Sequence, residues 1–243
     1  MKFLPTVLDK TIKRPGNDSG KDQHLVPDPE YSEFWEAFYK SLRSKFNFSA
    51  PVLGFEEKIN PYFGYFGYRF HPHKKEPKYF HLGVDITDKS KTPIYPILDG
   101  VLEYSGFGIV NGNYVFLSHD EVKTEDGLKL YSLYMHLKSP SVKFSSYEKM
   151  LRQISFNHYP QIKISKNQTI GLMGSTGNSE GVHVHLHLQL ELRDEKGNIV
   201  VIDPCEVFGV SSFANLSASI LTEEDFEKFK EENKEGLKKF KID

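Results

Sequence analysis

The sequence predicts a mainly β protein, built on an antiparallel β domain with helical segments at both ends. Between about residues 51 and 210, short β-branched and aromatic runs alternate with Gly, Pro, Asn and Asp, as is typical of antiparallel β domains. Residues 183–192 alternate strictly between polar and apolar side chains, which is the period of a strand. Near each end of the chain, apolar residues recur at helical spacing.

Length and composition limit the class of protein. The 243 residues, 38% of them hydrophobic, suffice for one domain with extensions or at most two. A net charge of -2 without a same-sign block predicts no nucleic acid and no anionic membrane as the main partner. No stretch approaches the roughly 18 apolar residues that span a bilayer, so we expect a soluble protein with no integral membrane segment. The single cysteine, Cys205, excludes an internal disulfide and is expected to be a buried thiol.

The N-terminal residues 1–27 lack apolar periodicity and are predicted to form an irregular arm. Their short apolar run, interrupted by Pro5 and Thr6, is too short and too polar for a signal-peptide core. The protein therefore stays in the cytoplasm, has a signal outside this sequence, or is exported by another route. A helix is predicted next, with Asp28 as N-cap and Pro29 in the first turn. Its apolar stripe is Tyr31, Phe34, Trp35, Phe38 and Leu42.

The remaining elements divide the chain into three parts. We predict an N-terminal arm and helix over 1–50, the β domain over 51–210, and a C-terminal helical tail over 211–243. Within the β domain, Asp99-Gly100 predicts a tight hairpin, and residues 146–156 a short helix in an insertion. The predicted strands are 92–98, 100–105, 113–118, 129–136, 168–172 and 183–192.

Histidines dominate one face of the last predicted strand. Strict alternation places His183, His185 and His187 on the same face, together with Gln189 and Glu191. Solvent-facing histidines without a role are the alternative, but three imidazoles in a row indicate a functional surface.

A second polar pair, His81 and Asp85, shares one face of another predicted strand, and Gly83 between them leaves room for an ion. A structural pair is the alternative for this motif alone. Combined with the histidine strand it predicts a zinc site, because catalytic zinc takes three His or carboxylate ligands and leaves a fourth position for water. Alternation also places His136 with Ser132 and Tyr134 on a polar face, opposite Leu133 and Met135.

Three ordered motifs resemble the LytM/lysostaphin-type zinc metallopeptidases, family M23. They are His81-x-x-x-Asp85, then Tyr134-Met135-His136-Leu137, then residues 170–185, which read Ile-Gly-Leu-Met-Gly-Ser-Thr-Gly-Asn-Ser-Glu-Gly-Val-His-Val-His. The resemblance covers roughly residues 60–205.

This resemblance implies a two-sheet, LytM-like groove of duplicated hybrid motifs with one Zn²⁺ at its floor. It implies a zinc-dependent endopeptidase that hydrolyses peptide bonds in bacterial peptidoglycan, in cross-link or stem peptides, by metal-activated water. Transferred position by position, His81, Asp85 and His185 would bind the metal. His136 and His183 would be catalytic, with either one as base and the other as proton donor.

The chain departs from the family pattern where Val182, Leu186 and His187 replace the usual Pro, Phe and Glu. We expect His187 to hydrogen-bond to the metal ligands without binding the metal itself. The alternatives are that His187 contacts the substrate or that the substitution has no effect. Residues 138–166 are longer than the family's usual connection and form either a groove wall or a passive surface insertion.

Other functions remain open. One is a zinc peptidase acting on a non-wall peptide, and another is a non-catalytic peptidoglycan-binding module. Phosphotransfer proteins with paired histidines do not need Asp85, which argues against them. The resemblance implies a periplasmic, cell-surface or secreted location, while the missing signal peptide keeps a cytoplasmic one open.

Overall fold

The computed structural model describes residues 3–14, 24–59, 64–69, 79–145, 161–179 and 183–210, together with five residues between 227 and 234. The predicted helix over 146–156 lies outside these residues. None of the helices within the described ranges is long and apolar enough to cross a membrane.

Fourteen strands and two α-helices have both ends within the described residues, and the five described residues between 227 and 234 are helical as well. The helices are α1 (Ser32–Lys45) and α2 (Pro204–Phe208). The strands are β1 (Phe3–Leu4), β2 (Thr11–Lys13), β3 (His24–Pro27), β4 (Gly67–Arg69), β5 (Tyr79–His81), β6 (Val84–Thr87), β7 (Pro93–Ile94), β8 (Gly100–Gly108), β9 (Gly112–Thr124), β10 (Lys129–Pro140), β11 (Lys163–Ile164), β12 (Gly171–Met173), β13 (His185–Arg193) and β14 (Ile199–Ile202).

Two sheets contain these strands, and the predicted mainly β fold is confirmed. The large sheet has the order β11-β8-β9-β10-β13-β14-β3-β2, with β1 on β9, β12 on β10, β6 on β13 and β7 on β12. The pairs β1–β9 and β3–β14 are parallel, and the other pairs are antiparallel. A second, two-stranded sheet joins β4 to β5. The sheets bring β5, β6, β10 and β13 close together, and these four strands supply the site described below.

The predicted hairpin at Asp99-Gly100 is wrong. Strand β7 pairs with β12, whereas β8 pairs with β9 and β11. Long-range contacts hold the bend instead, because the Asp99 carbonyl oxygen lies 2.9 Å from His119 Nδ1, and its carboxylate accepts from the Lys166 main-chain nitrogen. A turn-forming dipeptide therefore marks a bend here without joining neighbouring strands.

The N-terminal segment is more regular than predicted. Three short strands replace the irregular arm, and two of them extend the large sheet beyond β14. As predicted, Asp28 caps a first 3-10 turn, accepting from the Glu30 main-chain nitrogen, and α1 follows. The buried face of α1 shares one hydrophobic core with Leu4 of β1 and with the leucines of β13. Cys205 is buried as expected, and burial is the main cause that raises the pKa of its thiol.

Candidate active site

Strand β13 has the two-faced pattern that its sequence predicts. Its leucines at 186, 188, 190 and 192 are fully buried in the core. His185 and His187 lie on the opposite face, and both are still more than nine-tenths buried. Antiparallel pairing with β6 places His187 directly opposite Asp85, and His185 opposite Thr87. The histidine face therefore meets the carboxylate of the neighbouring strand.

His81 and Asp85 come from β5 and β6 and are both buried. The His81 Nε2 atom lies 3.3 Å from Asp85 Oδ1, so the two side chains meet as predicted. They do not share one strand, however, because β5 pairs with β4 in the small sheet and β6 with β13 in the large one. The space above Gly83 is filled differently from the prediction. A side chain at this position would place its Cβ 2.6 Å from His187 Nε2, which shows that the imidazole of His187 lies over this glycine.

Three imidazole nitrogens surround one oxygen of Asp85. His187 Nδ1 lies 2.9 Å from Asp85 Oδ1 and also 2.9 Å from His81 Nε2. His185 Nε2 is more distant, at 3.7 Å from the same oxygen. The tightest donor cluster in the described part of the chain is thus His81, Asp85 and His187, with potential ligand atoms all within 4.8 Å of one another.

Hydrogen bonds on the far side of two rings determine which nitrogen faces the cluster. His81 Nδ1 lies 2.8 Å from the carbonyl oxygen of Tyr65, and it can only donate to that acceptor. His185 Nδ1 lies 3.1 Å from the carbonyl oxygen of His183 and 3.1 Å from Ser179 Oγ. In the neutral form of both residues the lone pair is then on Nε2, the nitrogen that lies 3.3 Å (His81) and 3.7 Å (His185) from Asp85 Oδ1. Imidazole lone pairs around a buried carboxylate form a donor set that suits Zn²⁺.

The side chain of His136 lies at the cluster as predicted, but the strand geometry that brings it there differs from the predicted one. The pairing of β10 with β13 places Leu133 opposite Gln189 and Met135 opposite His187, on the polar face. Tyr134 is instead fully buried in the core, so the predicted faces of β10 are reversed. A register shift after Tyr134 and the left-handed backbone of His136, at φ 60°, turn its side chain toward the histidines. Strict alternation cannot predict such a bulge.

The His136 ring is held in place at one nitrogen. Its Nδ1 atom lies 2.9 Å from the carbonyl oxygen of Thr176, which leaves Nε2 as the nitrogen without the proton. The ring centroids of His136 and His185 are 4.8 Å apart. Burial, followed by the neighbouring His187 and His185, lowers the pKa of His136 to about 3. The imidazole is therefore neutral at neutral pH.

His183 lies at the edge of the cluster, two residues before β13 begins. It is half-buried, and its ring stacks on that of His185 with centroids 4.5 Å apart. All five residues predicted for the metal and catalytic positions are thus close together in space, and His187 lies among them.

The groups that orient these rings are not among the residues that the sequence pattern predicts for the site. Thr176 supplies the carbonyl oxygen for His136, and its side chain bridges β9 and β10 by accepting from the Asn113 nitrogen and donating to the Leu137 oxygen. Ser179 contacts His185. Both residues lie in the Gly- and Ser-rich stretch before the histidine strand, which was the available signal. Tyr65 acts through its main chain, so its side chain gives no signal.

Comparisons with known proteins identify one matching family and several similar proteins. The sequence profile of the family described as "Peptidase family M23" matches residues 79–204. A relative named "Peptidoglycan DD-endopeptidase ShyC", from Vibrio cholerae, is 31% identical over 116 residues, or 48% of this chain and 21% of that protein. Another, "DD-carboxypeptidase/endopeptidase Mpg" from Neisseria meningitidis, is 30% identical over 145 residues, or 60% of this chain and 27% of that protein.

The chain therefore spans only about a quarter of the length of these curated relatives. Among solved structures, the catalytic domain of lysostaphin from Staphylococcus simulans is 25% identical. That match covers 59% of this chain and 89% of the domain, with a TM-score of 0.39.

Proposed function

Because this chain belongs to peptidase family M23, we propose that it is a zinc-dependent endopeptidase that hydrolyses peptide bonds in bacterial peptidoglycan, in cross-link or stem peptides. The observation that carries the proposal is the convergence of His81, Asp85 and His185 with His136 in one buried cluster. Four different strands contribute to this cluster. Such an arrangement of titratable groups is expected of a catalytic centre more than of an ordinary core.

The metal would be held by His81 Nε2, Asp85 Oδ1 and His185 Nε2. Two neutral imidazoles and one carboxylate would leave a divalent ion with a residual charge of +1. When bound, zinc supplies Lewis acidity and activates a water molecule at neutral pH. The Tyr65 and His183 carbonyl oxygens orient the two imidazoles by accepting from their Nδ1 atoms, as is common behind zinc-binding histidines.

Proton transfer belongs to His136 and His183 in this proposal. His136 is fixed with Nε2 as its acceptor nitrogen, because Nδ1 is engaged by Thr176. It can take a proton from the attacking water or, once protonated, donate it to the leaving amine. His183, whose ring stacks on that of His185, would serve the other of these two roles. Such groups typically contribute about 10²- to 10⁴-fold to a rate.

The choice of substrate is supported by the names of the relatives. One is called a peptidoglycan DD-endopeptidase and the other a DD-carboxypeptidase/endopeptidase. We therefore propose wall peptides as the substrate and a periplasmic, cell-surface or secreted location. A zinc peptidase acting on other peptides and a non-catalytic wall-binding module are the alternatives that the experiment must separate.

The test is digestion of purified peptidoglycan by the full chain, with fragments identified by mass spectrometry. We expect released cross-link or stem peptides, loss of release after chelation, and recovery when zinc is restored. An Asp85→Asn variant should be inactive. Zinc-dependent cleavage of unrelated peptides but not of peptidoglycan would favour the non-wall peptidase. Binding to peptidoglycan without cleavage would favour the binding module.

A further inference from the structure

His187 has a closer relationship to Asp85 than either of the other histidines. We propose that His187 Nδ1 is itself a ligand of the metal, so that the centre has four protein donors: His81, Asp85, His185 and His187. This inference deepens the proposed function and rests on its metal centre. It differs from the expectation that His187 supports the ligands from outside, and it concerns a residue at which this chain departs from the family pattern.

The strand register is the first support. His187 is the residue paired with Asp85 between β13 and β6, whereas His185 is paired one position further along with Thr87. Side chains of directly opposed residues on one face of a sheet are nearest neighbours. The distances agree, since Asp85 Oδ1 lies 2.9 Å from His187 Nδ1 but 3.7 Å from His185 Nε2.

The spacing of the donor atoms is the second support. Zinc bonds to nitrogen and oxygen of about 2.0 to 2.2 Å, arranged tetrahedrally, separate the donors by about 3.3 to 3.6 Å. The distances from Asp85 Oδ1 to His81 and His185 are 3.3 and 3.7 Å, and the two distances from His187 Nδ1 are both 2.9 Å. The donor atoms of His81, Asp85 and His187 lie close enough together to bind a common ion after small outward shifts, whereas His185 Nε2, which lies outside this group, would have to move toward it.

A hydrogen-bond role alone explains this geometry less well. His187 Nδ1 carries at most one proton but, when His81 is neutral, lies 2.9 Å from two groups that present lone pairs, His81 Nε2 and Asp85 Oδ1. One proton cannot make a well-aligned hydrogen bond to both of them. A cation between the three atoms interacts favourably with all of them at once.

The glycine at position 83 allows this placement of the ring. An added Cβ would lie 2.4 Å from the Leu188 oxygen and 2.6 Å from His187 Nε2, so only glycine leaves space for the imidazole. The ring is thereby held with Nε2 over the backbone and Nδ1 toward the other donors. Four protein donors are the arrangement of closed zinc sites, so a water molecule could enter only by a fifth position or by displacing one donor.

X-ray absorption spectroscopy of the zinc-loaded full chain tests the proposal, because it counts imidazole ligands without reference to activity. We expect three imidazoles and one carboxylate in the native protein, and two imidazoles in His187→Gln. His183→Gln is the matched control: it removes a neighbouring imidazole from outside the donor set and should leave the count at three. Competition with a chelator should show that His187→Gln weakens zinc binding by more than about 100-fold, beyond the 10- to 100-fold typical of residues behind the ligands.

Two imidazoles in the native protein, or an unchanged count of three in His187→Gln, would overturn the proposal. The native count decides even if the variant fails to fold. A full chain that binds no zinc at all would instead refute the proposed function. Zinc-dependent hydrolysis with only two imidazoles bound would refute the role of His187 but leave the proposed function in place.

Discussion

The Nδ1 atom of His136 lies 2.9 Å from the carbonyl oxygen of Thr176, and this contact joins β10 to the segment that precedes the histidine strand. The Thr176 hydroxyl strengthens the same junction through the Asn113 nitrogen at 2.9 Å and the Leu137 oxygen at 2.8 Å. The segment is also packed closely, since a Cβ at Gly177 would lie 2.2 Å from the Gly112 nitrogen. The position of His136 therefore depends on a residue 40 positions away.

Thr176→Val should lower turnover while leaving the metal bound. The substitution removes both hydroxyl contacts and leaves the Asn113 nitrogen and Leu137 oxygen without them, at a cost of about 1 to 3 kcal/mol in stability. Small displacements of a catalytic group can cost up to about 10²-fold in rate. Thr176→Ser keeps the hydroxyl and should retain most activity. Equal activity in both variants, measured on peptidoglycan at equal zinc content, would contradict this role.

His136→Asn should abolish most turnover, by about 10²- to 10⁴-fold, without releasing zinc. Asparagine suits this position because it tolerates the left-handed backbone that His136 adopts at φ 60°. The variant therefore isolates the imidazole from the backbone conformation. Kinetic assays should be paired with metal analysis and a thermal melt. Loss of zinc in a folded His136→Asn protein would show that His136 is a ligand, and near-normal turnover would remove it from the mechanism.

Several features of the fold and of the candidate site could be predicted from the sequence because the signals for them are local. The alternation over residues 183–192 fixes which side chains share a face, and it correctly grouped His185 with His187. The apolar spacing of α1 and its Asp28 cap are equally local signals. Such features are predictable from the sequence because they depend on near neighbours in the chain.

The remaining features depend on partners distant in sequence. The side-chain direction of His136 comes from a bulge that no period reveals, and the pairing of His187 with Asp85 comes from the register between β6 and β13. The N-terminal strands are two to four residues long, too short to show an alternating pattern, and they form because edges of the large sheet are available to them.

Gly83→Ala should weaken metal binding and stability together. The added methyl group would meet the Leu188 oxygen and the His187 ring, so either the β6–β13 pairing or the imidazole must move. Overpacking of this kind costs about 1 to 3 kcal/mol. Gly127→Ala is a suitable control, because φ is +89° there but no atom lies within 4 Å of the added Cβ. It should lose stability through backbone strain alone and keep its zinc affinity. Similar zinc affinities in the two variants would contradict the packing argument.

Shortening the insertion within residues 146–160 should change which peptides are cut more than it changes folding or zinc content. Val142, Phe144 and Ile164 on either side are buried in the main core, so the ends of the segment should stay in place. Loops on a rigid β scaffold commonly determine specificity. Fragment analysis by mass spectrometry would compare the two proteins, and an identical cleavage pattern in a folded deletion variant would identify the insertion as passive.

Acidification should destabilise the protein through His119, which is fully buried between β8 and β10. Its ring contacts the Asp99 carbonyl oxygen at 2.9 Å and Ser132 Oγ at 2.8 Å. Burial is the main cause that lowers the pKa of His119 from 6.5 to about 4. The unfolded chain therefore binds this proton more readily than the folded one, and the stabilisation present above pH 6.5 is lost as the pH falls toward 4. At 1.36 kcal/mol per pKa unit, the loss is at most about 3 kcal/mol.

Urea unfolding at several pH values would measure this loss of stability, and His119→Gln should reduce the slope of the unfolding free energy between pH 4 and 6.5. If the unfolding free energy of the variant is lower at pH 7 but still falls as steeply between pH 6.5 and 4 as in the native protein, other groups cause the acid sensitivity.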